Sequence, residues 1–402
     1  MPRSLFLVEV YAASPKIWGG VEVTVRSLVE GLARDGVVVL APHPVMLPLP
    51  RYREERQRRR REEAEGRRLP PPPGALVLRP PYLHLPLVWG LTGPLQLFAL
   101  GLWAALFRAG RVDLVHGHRA HPMGAVAVVL GAVLRRPAVV SVYGSEVHTD
   151  AVRGPWLVRF WIRRALRRAA RVVGVSRVLL ERAVALGAAA ERVRFVPSGV
   201  ESVRFFPQDA AALRPALGWP PGRRVLLCTS QFLPVKGHAV LLEAFRRLCA
   251  RREDVLLVLT GEGPERPGVE AAVHEHGLTD RVLFPGLLDY EEVPRYMAAA
   301  DALVLPSHNE GMPLCVIEAF ACGRPAVATA VGGTPELVTD PRYGLLVPPG
   351  DATALADALG EALDRKWDAA ALRSRAEEFA WPRIVEQLRE VYREVAGGLG
   401  SA

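Results

Sequence analysis

Apolar and polar positions along the chain alternate between short β-branched runs and longer segments with helical spacing. Short apolar runs bounded by glycine or proline predict buried strands, and apolar residues three and four apart predict helices between them. Continuous apolar strands alternating with helices are typical of parallel sheets covered on both faces. One series of predicted strands covers residues 4–10, 37–40, 114–116, 138–142, 172–175 and 194–196. A second covers residues 225–229, 255–260, 282–284, 302–305, 326–329 and 344–347.

The two series are separated by PSGVESVRFFPQDAAALRPALGWPPGRR, a stretch rich in proline and glycine that we interpret as a linker. The pattern predicts an α/β protein with two doubly wound, Rossmann-type domains, residues 1–202 and 203–380. An insertion at about 51–74 carries nine arginines and five glutamates and is predicted to be solvated rather than an anion-binding arm. The amphipathic segments ATALADALGEALDRKW and WPRIVEQLREVYREVAGG close the chain, the second lying within residues 381–402.

The longest apolar stretch, residues 85–107, is interrupted by Pro86, Gly93, Pro94 and Gln96, so we expect a buried or interfacial helix from about Pro94 rather than a membrane span. The N-terminus has a short apolar run that contains a glutamate, so we interpret it as a first strand rather than a leader. The four cysteines lack metal-ligand spacing, which predicts free buried thiols in a reducing compartment and a cytoplasmic protein.

The stretch SHNEGMPLCVIEAFACGRP, residues 307–325, places Glu310 and Glu318 on either side of a Gly-Met-Pro step. It follows a predicted strand, and Pro313 suits the first turn of a helix that runs to about Ala321. Free amides at the start of that helix favour an anion at the carboxyl edge of the sheet. Two carboxylates that can each bind a polyol, with an anion site between them, describe a nucleotide sugar. The amides in question belong to Met312, Leu314 and Cys315.

In its wider context, SHNEGMPLCVIEAFACGRPAVATAVGGTPELV resembles the donor-site signature of glycosyltransferase family 4, retaining enzymes of the GT-B fold. The resemblance extends over nearly all of residues 225–358 and is looser in WGGVEVTVRSLVEGLARDG, DLVHGH and VVGVSRVLLERAVALGAAAERVRFVPSGVE. It implies two Rossmann-like domains that face each other across a cleft, with the last helix crossing back to the first domain. It also implies transfer of a hexose, with retention, from a nucleotide-diphosphate sugar to a glycan or lipid-linked acceptor in envelope polysaccharide or glycolipid synthesis.

The same resemblance implies roles for individual residues. Gly19 and Gly20 would open the first helix toward the diphosphate, His118 would contact the transferred sugar, and Lys236 would neutralise the diphosphate. The implied catalytic residues are His118, Lys236 and Glu310. The implied donor-binding residues are Gly19, Gly20, Gln231, Lys236, Glu310, Gly311, Met312, Leu314, Cys315 and Glu318.

The chain departs from the family pattern at three places. Ser230 and Gln231 stand where most relatives have a glycine-arginine pair, and glutamine can donate a hydrogen bond but supplies no charge. Tyr143 stands where histidine is common, and Ser198 where asparagine is usual. These changes leave the expected fold untouched but bear on the strength of diphosphate binding.

Metal and nucleic acid are the obvious alternative ligands. His116, His118 and His121 could form a metal cluster, but alternation puts only His116 and His118 on one face, with no acidic partner, so we predict no metal and no cofactor beyond the donor. The isoelectric point is near 9.8, yet no aromatic stacking platform or nucleic-acid motif is present, so we predict no nucleic-acid partner.

The segment VRGPWLVRFWIRRALRRAARVV, residues 152–173, interleaves aromatic residues and arginines at helical spacing. It fits either a helix with a buried apolar face or an interfacial helix in peripheral contact with an anionic membrane. On mechanism, no spare carboxylate suggests a nucleophile, so we expect same-face attack with the leaving diphosphate stabilised by Lys236 and helix amides. The alternatives are a phosphorylase, an epimerase of nucleotide sugars, or a non-catalytic sugar-nucleotide-binding homologue.

Overall fold

A computed structural model describes residues 2–8, 20–41, 43–46, 72–84, 89–108 and 110–397. The chain divides into two compact units, residues 1–198 with 381–402 (unit 1) and residues 199–380 (unit 2). The domain boundaries predicted from the sequence lie after residues 202 and 380, so the first is four residues later than the observed one. Gly19 and most of the arginine-rich insertion lie outside the described residues, so the predictions for them stay predictions.

Unit 1 is an α/β unit built around a parallel sheet. Its described strands are β1 (Ser4–Leu7), β2 (Val38–Leu40), β3 (His43–Met46), β4 (Leu76–Leu78), β5 (Pro81–His84), β6 (Leu114–His118), β7 (Ala138–Val142), β8 (Arg171–Gly174) and β9 (Val193–Phe195). Its first helices are α1 (Gly20–Leu32), α2 (Trp89–Phe107), α3 (Ala125–Leu134), α4 (Trp156–Arg168) and α5 (Arg177–Ala185). Short turns at Ala33–Asp35, Ala120–Gly124, Glu146–Asp150, Ala151–Arg153 and Ala190–Arg192 connect them.

The sheet of unit 1 has the strand order β4-β2-β1-β6-β7-β8-β9 among the described residues, and β3 pairs with β5 in a small second sheet. Every pair in the large sheet is parallel. The chain first moves outward from β1 and then returns to place β6 beside it. The reversal between β1 and β6 is the topological switch point of this unit, where ligands of such sheets bind.

Unit 2 repeats this architecture with a six-stranded parallel sheet in the order β12-β11-β10-β13-β14-β15 among the described residues. The strands are β10 (Arg224–Thr229), β11 (Val255–Thr260), β12 (Val282–Gly286), β13 (Ala302–Leu305), β14 (Ala326–Thr329) and β15 (Gly344–Val347). The helices are α6 (Ala210–Ala216), α7 (His238–Cys249), α8 (Arg266–Glu275), α9 (Val293–Ala299), α10 (Leu314–Ala321), α11 (Thr334–Leu337), α12 (Ala352–Asp364) and α13 (Ala369–Glu377), with short turns at Pro234–Lys236 and Thr279–Arg281. The switch point lies between β10 and β13.

Burial explains why the apolar runs form these strands. All six residues of β11 and all four of β13 and β14 are buried, because helices cover both faces of the sheet. The two predicted series of parallel strands are therefore confirmed. All four cysteines, Cys228, Cys249, Cys315 and Cys322, are free.

Several details differ from the sequence expectations. Helix α2 begins at Trp89 rather than near Pro94, so the proline lies inside the helix. Strands β3, β4 and β5 and helix α13 were not predicted, because β4 is three residues long and partly exposed, and prolines occur within β3 and β5. No helix within the described residues combines the length and apolar character needed to cross a membrane.

The last helix, α14 (Trp381–Gly397), belongs to unit 1 and packs on α1. Its buried residues recur three and four apart along one face: Trp381, Ile384, Val385, Leu388, Val391, Tyr392 and Val395. Arg389 fixes its position, because Nε lies 2.7 Å from Asp35 Oδ2 and Nη2 donates to the carbonyl of Gly31 at 2.8 Å.

We expect Arg389→Met to lower the free energy of unfolding of unit 1 by about 2 kcal/mol, because it leaves the Asp35 carboxylate and a carbonyl without their charged donor. Arg393→Met on the same helix is the matched control. Arg393 is half exposed and pairs with Glu386 alone among the described residues, so its loss should cost less than about 0.5 kcal/mol. Urea denaturation followed by circular dichroism measures both, and equal effects would contradict this account of how α14 docks.

Candidate active site

Two loops of unit 2 meet where β10 and β13 end, at the switch point of the sheet. The amide of His308, after β13, donates to the carbonyl of Val235, after β10, at 2.8 Å. Gly237 has a φ of 70°, and a Cβ there would lie 2.2 Å from the carbonyl oxygen of Pro306. The approach of the two loops therefore requires glycine next to Lys236.

That approach brings Lys236 and Glu310 into direct contact. Lys236 Nζ lies 2.7 Å from Glu310 Oε1, and the Ser307 hydroxyl donates to the same oxygen at 2.6 Å. Thr329, at the end of β14, donates to the Ser307 carbonyl at 2.6 Å and holds that loop in place. Glu310 Oε2 has no hydrogen-bond partner among the described residues, so it is the oxygen available to a ligand hydroxyl.

The ion pair keeps Lys236 charged although its side chain is only 23% exposed. Burial alone would lower the pKa of Lys236, but the nearby Glu310 carboxylate outweighs burial and raises it. The contact between Lys236 and Glu310 was not predicted from the sequence. The family resemblance assigns Lys236 to a diphosphate and Glu310 to a sugar, and the structure shows that the two side chains also bind each other.

The loop that follows β14 packs against the backbone of Glu310 and Gly311. Gly332, after β14, has a φ of 53°, and a Cβ there would lie 1.8 Å from the Glu310 carbonyl oxygen. The amide of Gly333 donates to the carbonyl of Gly311 at 3.0 Å. Glu310 and Gly311 are therefore held between the loops that follow β13 and β14.

Helix α10 begins beside this loop and supplies free amides. It begins at Leu314, with Pro313 as the N-cap residue rather than in the first turn as predicted. The Val316 amide donates to the Pro313 carbonyl at 3.2 Å, whereas the amides of Leu314 and Cys315 have no partner among the described residues. These two amides and the dipole of α10 favour an anion at this end of the helix, and Met312 is buried just before it.

Glu318 lies one turn into α10 and is 8% exposed. Its burial raises the pKa of the carboxyl to about 8, so at neutral pH Glu318 is largely protonated. Burial, together with Glu310 and Glu318, also raises the pKa of the Cys315 thiol, which stays neutral. The two glutamates of the motif therefore differ in charge state, one in an ion pair and one in an apolar setting.

Sequence reasoning missed several residues around this site. Ser307 and Thr329 shape the loop that carries Glu310. Ser230 lies 3.2 Å from His238 Nε2, and the His238 ring stacks on Phe232 with centroids 4.2 Å apart. The sequence signal that could have identified the two serines is their place after predicted strands. Ser230 directly follows β10, and Ser307 comes two residues after β13.

Gln231, the predicted donor-binding residue beside Ser230, is exposed at the end of β10, and its side chain has no partner among the described residues. Its role stays a prediction.

In unit 1, His118 is the last residue of β6, at the switch point between β1 and β6. His116 and His118 lie on one face as strand alternation predicts, with their rings stacked at 4.2 Å. The Tyr143 hydroxyl lies 2.6 Å from His118 Nδ1, while the buried Nε2 has no partner among the described residues. Burial lowers the pKa of His118 to about 3, so the ring is neutral.

The remaining predicted positions of unit 1 lie in or beside α1. Gly20 is the exposed first residue of that helix, and Gly19 lies outside the described residues. The hydroxyl of Thr24, in α1, donates to the buried Ser198 hydroxyl at 3.3 Å, so serine satisfies the position where the family usually has asparagine. Among the described residues, no group of three or more histidine, cysteine or acidic side chains is placed to hold a metal ion.

Comparison with known proteins identifies both units. Residues 209–379 match the family model for glycosyl transferases group 1, and residues 19–199 match that for a glycosyl transferase 4-like domain. The D-inositol 3-phosphate glycosyltransferase of Saccharomonospora viridis is 38% identical over 220 residues, 52% of this chain and 51% of the relative. A GDP-mannose-dependent monoacylated alpha-(1-6)-phosphatidylinositol monomannoside mannosyltransferase of Corynebacterium glutamicum is 29% identical over 72% of this chain and 78% of the relative.

The solved structures agree on the fold. HepE of Anabaena, crystallised in complex with UDP and glucose, superimposes with a TM-score of 0.74 and 22% identity over 97% of this chain and 98% of HepE. The GT-B fold class expected from the sequence is therefore confirmed. The chain spans about half the length of the first curated relatives it matches.

We expect the buried Glu318 to make the stability of unit 2 depend on pH. The folded carboxyl ionises near pH 8 and the unfolded one near 4.5, so the folded state holds the extra proton between these values. Its stability must therefore fall as pH rises from about 5 to about 8. Glu318→Gln removes this dependence, and its melting temperature relative to the wild type should rise by about 2–4 °C or more across that range.

The control is Glu361→Gln, which changes a 59% exposed carboxyl of the same unit and should shift both ends of the range equally. Thermal melts without ligand at a series of pH values measure both. A pH-independent difference for Glu318→Gln would show that Glu318 ionises normally.

Proposed function

The chain belongs to the group 1 glycosyl transferases of glycosyltransferase family 4, and on that premise we propose that it transfers a hexose, with retention, from a nucleotide-diphosphate sugar to a hydroxyl acceptor. The observation that carries the proposal is the contact of Lys236 with Glu310 beside the free amides of α10. A diphosphate is the ligand that such a site fits, because an ammonium group and two unpaired amides converge at a helix N-terminus.

The donor is bound without a metal in this proposal. Lys236 and the amides of Leu314 and Cys315 contact the diphosphate. Glu310 Oε2 accepts a hydrogen bond from a hydroxyl of the sugar. On the other side, the protonated Glu318 carboxyl donates to one ribose hydroxyl and accepts from the other. Because Lys236 is already paired, the diphosphate shares the ammonium with Glu310 rather than replacing it, since three N–H groups are available on the lysine.

The chemistry follows from the charge states of the two carboxyls. Glu310 is tied to Lys236 and Ser307, and Glu318 is largely protonated at neutral pH, so neither is a good nucleophile at the anomeric carbon. The bond between the anomeric carbon and the diphosphate oxygen breaks while Lys236 stabilises the leaving charge. The acceptor oxygen bonds to the same face of the sugar, and its proton passes to the leaving phosphate.

Two other chemistries of the same fold class make different demands. A phosphorylase requires inorganic phosphate, and an epimerase yields product without an acceptor. A non-catalytic homologue binds the donor without turnover or hydrolysis. We favour transfer because a charged Lys236 and the free amides of α10 suit stabilisation of the charge that develops on a leaving diphosphate.

We expect Lys236→Ala to abolish the thermal stabilisation by the preferred nucleotide sugar in a screen of UDP-, GDP- and ADP-sugars and to lower kcat/KM by about 10²–10³, as loss of one leaving-charge donor does. The chain has three lysines, and Lys366, exposed in the same unit, provides the control, since Lys366→Ala should bind and turn over normally. The anomeric configuration of the product is read by proton NMR. Inversion, or a covalent glycosyl-enzyme found by mass spectrometry, would overturn the mechanism.

We also propose that the acceptor is presented at an anionic lipid surface, to which α4 binds. Trp156 and Phe160 project from this helix at 71% and 50% exposure, whereas its buried residues are Ile162, Ala165 and Leu166. The helix contains no acidic residue, and its arginines have no acidic partner among the described residues: Arg159, Arg163, Arg164, Arg167 and Arg168.

The neighbouring helix α2 extends this surface. It packs against α4 and exposes Leu95, Trp103 and Leu106, which are spaced along one stripe of the helix. Exposed aromatic and aliphatic side chains beside unpaired arginines are the combination by which interfacial helices bind anionic lipid.

We expect the protein to co-sediment with vesicles that contain phosphatidylglycerol and not with pure phosphatidylcholine, and to be released by salt. Arg163→Gln with Arg167→Gln should reduce binding about tenfold or more, because each arginine near such a surface contributes about 1 kcal/mol. Val203→Ala in unit 2, which changes an isolated valine at 89% exposure, is the control. Binding that is indifferent to lipid charge would exclude this surface.

A further inference from the structure

Buried polar side chains of unit 1 form two separate hydrogen-bonded groups around the stacked histidines. Tyr392 OH, on α14, lies 2.6 Å from His116 Nδ1, and His116 Nε2 lies 2.8 Å from Ser141 Oγ. Tyr143 OH lies 2.6 Å from His118 Nδ1, and this ring nitrogen is its only hydrogen-bond partner among the described residues. A tyrosine hydroxyl can donate or accept, so the direction of this bond decides which His118 nitrogen carries the proton.

Both imidazoles are neutral and therefore carry one N–H each. Burial lowers the pKa of His118 to about 3 and that of His116 well below its ordinary value, and His118 lowers it further. The two histidine rings stack on each other, and Phe6 packs against both. Burial also raises the pKa of Tyr143 and of Tyr392, so both hydroxyls keep their protons.

The bond between Tyr143 and His118 has two possible directions. If Tyr143 donates to Nδ1, the proton of the neutral ring is on Nε2. If Nδ1–H donates to Tyr143, the proton of the buried tyrosine hydroxyl is left without an acceptor among the described residues. An unpaired donor in the core is costly at all times, whereas one at His118 Nε2 can be satisfied by a ligand.

We propose that Tyr143 is a positioning residue that fixes His118 in its Nε2–H form, so that this nitrogen donates a hydrogen bond to a substrate oxygen. The geometry supports this, because His118 Nε2 is buried, without a partner among the described residues, and located at the end of β6 at the switch point of the sheet. The proposal rests on the proposed function only in its second half. The tautomer is a property of the free protein.

Glu146 holds the backbone of Tyr143 in place. Its buried carboxylate accepts from the amide of Tyr143 at 2.6 Å and from that of Gly144 at 3.2 Å. The backbone at the end of β7 is therefore tied down where Tyr143 reaches His118. A tyrosine here is always a donor at neutral pH, whereas a histidine at the same position could adopt either tautomer.

The direct test is long-range ¹H–¹⁵N NMR of the ten histidine side chains in ¹⁵N-histidine-labelled protein, with His118 assigned by its loss in His118→Gln. We expect the wild-type His118 signals to show an Nε2–H ring. In Tyr143→Phe they should shift toward the Nδ1–H or a mixed form, while kcat falls about tenfold with little change in donor KM.

Phe6→Leu is the matched control, because Phe6 packs on both rings without a hydrogen bond to either. It should lower the melting temperature and leave the His118 tautomer unchanged. A wild-type His118 protonated on Nδ1, or a Tyr143→Phe spectrum identical to that of the wild type, would overturn the proposal. If Tyr143→Phe does not fold, the wild-type spectrum decides alone. An Nε2–H ring in the wild type, with a shifted tautomer but unchanged kcat in Tyr143→Phe, would retain the positioning role of Tyr143 and refute the role of His118 in transfer.

Discussion

The contact between Lys236 and Glu310 depends on the strand order of unit 2 and in turn organises its site. The two residues come from loops that follow β10 and β13, which are neighbours only because the sheet reverses its direction of growth between them. Gly237 lets the loops meet, and Ser307 shares the carboxylate. The pair keeps a half-buried ammonium charged before any ligand is present, so the proposed transfer would need little reorganisation when charge develops on the leaving group.

The two glutamates of the motif show how environment separates identical side chains. Glu310 lies beside an ammonium and a hydroxyl, whereas Glu318 lies in an apolar part of α10, and burial raises the pKa of Glu318 to about 8. An acidic proton makes Glu318 a donor as well as an acceptor toward vicinal hydroxyls. In the proposed donor complex, a protonated Glu318 also avoids a second negative charge near the diphosphate.

Sequence patterns were most informative where burial alone decides structure. The strands at 138–142, 255–260, 302–305, 326–329 and 344–347 have the predicted bounds, because a strand covered on both faces must be apolar throughout. Strand β4 was not predicted, because it is short and partly exposed and therefore lacks a continuous apolar run. The motif identified Lys236 and Glu310, but not their contact, which depends on a loop approach between residues 74 positions apart. The same holds for Tyr392 and His116, which are 276 positions apart.

The switch points of the two units have the same architecture but opposite charge states. At the switch point of unit 2 a charge is retained because a partner carboxylate offsets the cost of burial. At that of unit 1 the imidazoles are neutral, and the proposed recognition by His118 depends on the direction of a hydrogen bond rather than on charge. Tyrosine at position 143 suits this arrangement, because its buried hydroxyl keeps its proton at neutral pH, where His118 is uncharged.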